Sequence, residues 1–153
     1  MEKRQLYTTI ATMAACGLAV AALAAARRRK ARTPVLPVSG RVSQGYRTGH
    51  QAVDIAVPEG TEVRCPWDGT VQRVWNDTAF GGGLSMLVDH DNGYTTGYAH
   101  LSGFHFGSGD RVLQGQNLAL SGNTGSHTTG PHLHFTLRDK AGRKIDPQTV
   151  FAF

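Results

Sequence analysis

Cysteine is scarce in this chain: of 153 residues only Cys16, within an uncharged run, and Cys65, beside Pro66, carry thiols. Two cysteines in such different settings build no disulfide framework, so Cys65 is expected as a small buried core residue. Long amphipathic helical patterns are missing after residue 33, which removes helical bundles from consideration. A basic face is missing as well. The formal net charge is +5, yet residues 1–32 hold seven Lys/Arg against one acid, while residues 33–153 hold nine against ten. The two parts therefore carry +6 and −1, and the basicity belongs to the N-terminal segment alone. The remainder offers no electrostatic footprint for nucleic acid.

What is present is glycine, 19 residues of it, with six prolines and short β-branched runs between turn signals. This composition predicts an all-β fold, a single antiparallel sheet or sandwich-like domain, over residues 40–153. Thr61–Cys65 and Thr70–Trp75 are expected as strands joined through Trp67-Asp68-Gly69. Leu84–Asp89 and Tyr94–Ala99 form a hairpin about Asp91-Asn92-Gly93. A last hairpin pairs His132–Leu137 with Lys144-Ile145 across Asp139–Gly142. Residues 31–39, with Pro34 and Pro37, are expected as an extended linker.

Residues 1–30 are expected as a signal peptide or transmembrane signal-anchor. Leu6–Ala26 runs 21 residues without a charge, long enough for one membrane-crossing helix, but nine of them are alanine. Such a helix is only marginally held in a bilayer. Ala24-Ala25-Ala26 also suits cleavage of a secretory signal.

The chemistry is expected around Gly130-Pro131-His132-Leu133-His134-Phe135. Residues two apart on a strand share a face, so His132 and His134 line one wall while Leu133 and Phe135 enter the core. His50 and Asp54 are four apart. An extended chain would separate them by about 13 Å, so His50 is expected on a loop that curls back toward Asp54. Histidine, carboxylate and a histidine from a distant strand make three protein ligands. A fourth zinc position is then open, the arrangement of a catalytic site. His90, His105 and His127 are expected to be structural or exposed.

Four motifs together resemble the lysostaphin/LytM-type zinc metallopeptidases: His50-x-x-x-Asp54, Gly93-Tyr94-Thr95-Thr96-Gly97-Tyr98-Ala99-His100-Leu101, Ser121-Gly122-Asn123-Thr124-Gly125, and the His132-x-His134 strand. The resemblance covers residues 40 to 148. It implies Zn2+ held by His50, Asp54 and His134, with His132 and His100 as the catalytic histidines. Tyr46 or Tyr98 would support the oxyanion. The implied activity is a zinc endopeptidase cutting peptide bonds of bacterial peptidoglycan, monomeric, and located in the periplasm or cell envelope. It would be tethered to the inner membrane through residues 6–26 or released from it, as in the signal-arrest-release lysis enzymes of phages. The alternative is a non-catalytic relative that binds and activates another wall hydrolase. Gly97 departs from the family pattern, where an apolar residue is expected, and this bears on groove shape.

Overall fold

A computed structural model describes residues 33–153. The expectations for residues 1–30 lie outside the described residues, and among those described no helix is long and apolar enough to cross a membrane. Eleven strands follow in chain order: β1 Arg41–Gln44, β2 Val53–Ala56, β3 Glu62–Arg64, β4 Gly69–Asp77, β5 Gly83–His90, β6 Thr95–Leu101, β7 Gly103–Phe104, β8 Arg111–Val112, β9 Asn117–Leu120, β10 Leu133–Arg138 and β11 Lys144–Ile145. A 3-10 turn at Pro147–Thr149 ends the regular structure, the Asp146 carboxylate accepting from the Gln148 N–H. The main antiparallel sheet has the order β1-β2-β10-β6-β5-β4-β8, with β11 on the free end of β10. A smaller sheet has the order β3-β9-β7.

The period-2 pattern of β10 decides how the main sheet sits. Leu133, Phe135 and Leu137 are fully buried, while His134, Thr136 and Arg138 face the other side and are partly open. Burying each such apolar side chain is worth roughly 1.5–3 kcal/mol. The same face of the sheet contributes Val53 and Ile55 from β2 and Met86 and Val88 from β5. Val63, Leu118 and Ala119 from the small sheet close over them. An aromatic group finishes the core, with Trp67 stacked on Tyr94 at 5.3 Å and tilted against Phe151. Cys65 is buried as expected, its Sγ–H donating to the Trp67 carbonyl, and burial pushes the thiol up to about 12.

Thr61–Cys65 and Thr70–Trp75 supply consecutive strands, as expected, and these enter different sheets: β3 joins β9, and β4 joins β5 and β8. The turn at Trp67-Asp68-Gly69 carries the chain from one sheet to the other. Residues 33–39, expected as a linker, form neither helix nor strand and are bound to the domain. Val38 is buried, the Val35 N–H donates to Pro66, and the Pro37 carbonyl accepts from Arg64.

His90 is structural. Its Nδ1 lies 3.1 Å from the Trp67 carbonyl and its Nε2 2.7 Å from Thr96 Oγ1. Burial outweighs these bonds and pushes its pKa down to about 4. The unfolded chain then takes up a proton near pH 6.5 that the folded chain refuses, so stability falls as pH drops from there toward 4. His90 alone should cost about 2 kcal/mol between pH 7 and pH 5. Urea titrations of the parent and His90→Gln at both pH values should show the variant losing that much less on acidification; equal losses would contradict the buried neutral imidazole.

Candidate metal centre and catalytic groove

The groove face of β10 meets β2 in a register that places His134 directly opposite Asp54. Opposed residues in an antiparallel pair share a face with Cβ atoms about 5 Å apart. The two side chains meet accordingly, His134 Nδ1 lying 2.7 Å from Asp54 Oδ1. His50 arrives from the loop before β2. Arg47 and His50 exchange backbone hydrogen bonds across a tight turn at Thr48-Gly49, where Gly49 holds a φ of 81°. The loop thereby curls back as the spacing predicts, and His50 Nε2 stands 3.1 Å from Asp54 Oδ2. Gly49 and His50 line an open groove of about 650 Å³.

The fourth and fifth residues come from either side of this set. His132 Nε2 is 3.8 Å from Asp54 Oδ1, and its Nδ1 faces the Gly130 carbonyl at 2.8 Å. His100 belongs to β6, where strict alternation would send it to the same face as Tyr98. An extra residue prevents this: β6 uses three steps, Tyr98 to Leu101, where β5 uses two, Met86 to Leu84. Such a bulge re-aims a side chain. His100 takes a φ of 61°, the only positive value among the described non-glycine residues, and its ring lies beside that of His132 at 4.7 Å.

The Ser121–Gly125 motif explains itself here. The Thr124 carbonyl accepts from His100 Nδ1 at 2.8 Å. Thr124 Oγ1 donates to the Leu101 carbonyl at 2.6 Å and accepts from the Leu84 N–H at 3.0 Å. Gly125, at φ 92°, lies against the backbone of Gly81–Gly83, where an added Cβ would stand 2.3 Å from the Gly81 carbonyl oxygen. Sequence reasoning found this motif without giving Thr124 its task of fixing His100.

Tyr98 is a correction. Its ring packs on Phe135, it is 2% exposed, and its hydroxyl bonds Thr96 Oγ1 at 2.8 Å. The side chain is in the core and cannot reach an oxyanion. Tyr46 is half-buried, its hydroxyl donating to the Lys144 carbonyl at 3.2 Å. His105 pairs with Glu62 at the surface. His127 is exposed on the groove wall, its N–H donating to Gly81.

Hydrogen bonding fixes which nitrogens are available. Nδ1 of His50 donates to the Gly45 carbonyl at 3.0 Å, as Nδ1 of His100 and His132 do to theirs. All three rings therefore keep an Nε2 lone pair free, the outer-partner arrangement of metal-ligand and catalytic histidines. His50 Nε2 is buried with no hydrogen-bond partner, an orphaned donor atom of the kind a cation satisfies. One atom each from His50, Asp54 and His134 lies within 4.8 Å of the others. The set of two imidazoles and one carboxylate, with an open side, fits zinc. Burial works against an ionised Asp54, but the hydrogen bond from His134 and the facing charges of His134, His50 and His132 hold its pKa below the ordinary value. His100 is moved down by burial first, although the Thr124 carbonyl opposes the shift.

Residues 48–147 match the profile of Peptidase family M23. The chain belongs to that family. It is 41% identical over 101 residues to the peptidoglycan DD-endopeptidase ShyA of Vibrio cholerae, covering 66% of this chain and 22% of that protein. A zinc-containing peptidase from V. cholerae superposes with a TM-score of 0.69 at 31% identity, over 80% of this chain and 40% of that one. The catalytic domain of lysostaphin from Staphylococcus simulans gives 0.60 at 30% identity, over 72% of this chain and 85% of that one. The chain spans about a fifth of the length of the curated relatives it matches.

Two outcomes are expected of this M23 domain. Asp54→Ala and His134→Ala should each abolish stoichiometric zinc in metal analysis of the purified protein, because an open site of three ligands does not survive on two; full occupancy in both variants would sink the ligand set. Thr124→Val should keep the zinc yet lose about 1–3 kcal/mol of stability by denaturant titration, with turnover falling as His100 loosens.

Proposed function

We propose that this M23 domain is a zinc-dependent endopeptidase that hydrolyses peptide bonds of bacterial peptidoglycan. The observation that carries the proposal is the juxtaposition in one open groove of a cation-ready His50/Asp54/His134 set with two further imidazoles, His132 and His100, whose Nε2 atoms face it. A domain that only bound another hydrolase would need neither the orphaned nitrogen nor the bulge that aims His100. The name of the Vibrio relative supports the substrate.

When bound, zinc supplies a Lewis acid that polarises the scissile carbonyl and makes water acidic enough to attack near neutrality. His50 Nε2, Asp54 and His134 Nδ1 would hold it. His132 takes the proton of the attacking water at Nε2, its other nitrogen being fixed by Gly130. His100, once it has taken a proton from solvent at Nε2, steadies the developing oxyanion or hands that proton to the leaving amine. Burial keeps the His100 ring below its ordinary range, so once charged it releases a proton readily. Peptidoglycan lies outside the inner membrane, so the domain acts in the periplasm or cell envelope. The uncharged run at residues 6–26 is then its means of export or attachment.

His132→Ala should retain zinc while turnover on purified cell walls falls about 10²–10⁴-fold, followed by mass spectrometry of the released muropeptides. Loss of metal in this variant would make His132 a ligand and reverse the assignment; full activity would remove it from the chemistry.

A further inference from the structure

The end of the groove away from the metal set carries an unresolved electrostatic conflict. Arg138 on β10 and Lys144 on β11 are directly opposite each other in the β10–β11 pair. Both line the groove. The alternation of β10 puts Arg138 on the face of His134 and Thr136, and the cross-strand partner shares that face. Like charges directly opposite in a sheet are destabilising, and chains usually relieve them with a carboxylate. None does so here. Among the described residues, no ion pair links either side chain to an Asp or Glu, and the Arg138 guanidinium bonds only the Gly142 carbonyl at 3.2 Å. Asp89 lies in the same cross-sheet row, but β6 separates it from β10, and its carboxylate accepts from Thr95 Oγ1 at 2.7 Å.

Between this pair and the metal set the groove floor is cleared. Gly97 stands opposite Thr136 and Leu87, and an added Cβ would come within 2.5 Å of Thr136 Oγ1. A side chain at that position would block the trough joining the two ends. Arg138 is four residues beyond His134 along one strand, about 13 Å. An extended peptide covers that distance in about four residues.

We propose that Arg138 and Lys144 form an anion subsite that holds a free carboxylate of the substrate peptide three to four residues from the bond that is cut. The guanidinium presents paired donors to the carboxylate and the ammonium a point charge beside it. The substrate thereby supplies the negative charge that the hairpin lacks. This assignment rests on the endopeptidase reading for the direction of the substrate, but its binding chemistry is separable from cleavage.

The test uses the zinc-loaded full chain and two peptide analogues with a reduced scissile amide, identical except for a carboxylate or a carboxamide at that position. Calorimetry on the parent should show about tenfold tighter binding of the carboxylate form, weakening as salt is raised. The double variant Arg138→Gln/Lys144→Gln should bind both forms within about twofold of each other, with zinc content unchanged. Lys140→Gln, in the turn outside the groove, should keep the parent's preference. No preference in the parent, or a preference retained in the double variant, overturns the subsite. Wall hydrolysis by the same preparations reports separately: a parent that discriminates the analogues but cuts no wall refutes the endopeptidase reading and leaves the subsite standing.

Discussion

The site depends on one pairing, Asp54 against His134 across β2 and β10. Because side chains alternate on a strand, a slip of one residue in that register would send His134 into the core and Leu133 into the groove. The hydrophobic face of β10 forbids the slip, since Leu133, Phe135 and Leu137 must all be buried together. The metal set is thus held by the burial of residues that never touch it. The carboxylate then draws in the other donors, His50 from its short loop and His132 from the approach to β10.

His100 is held by a different device. Its position derives from the β6 bulge, from Thr124 and from the fitting of Gly125 against the Gly81–Gly83 backbone. These segments are some forty residues apart in sequence. The proposed metal set is therefore built mostly within the main sheet, whereas the placing of His100 needs two loops closed against each other.

Much of this was legible in the residues. The alternation of His132–Leu137 announced both a strand and its two faces, the turn at Asp91-Asn92-Gly93 announced a hairpin, and the distance between His50 and Asp54 required a loop. Period-2 patterning says that a segment is a strand but not which strand it joins, so nothing in the residues showed that β3 and β4, a short turn apart, lie in separate sheets. Alternation likewise assumes an unbroken ladder. Tyr98 and His100 are two apart and would share a face, yet the bulge between them sends the tyrosine to the core and frees the histidine for the groove. Proline in residues 33–39 signalled a stretch outside helix and strand. It carried no information on whether that chain would find a surface to bind.

The left-handed backbone at His100 has a further consequence. For a residue with a Cβ that conformation costs roughly 1–2 kcal/mol relative to the right-handed one, and glycine would occupy it without strain. A domain required only to stay folded gains by giving up the imidazole there. The strain at this one backbone position is thus the local cost at which the fold presents an imidazole beside His132.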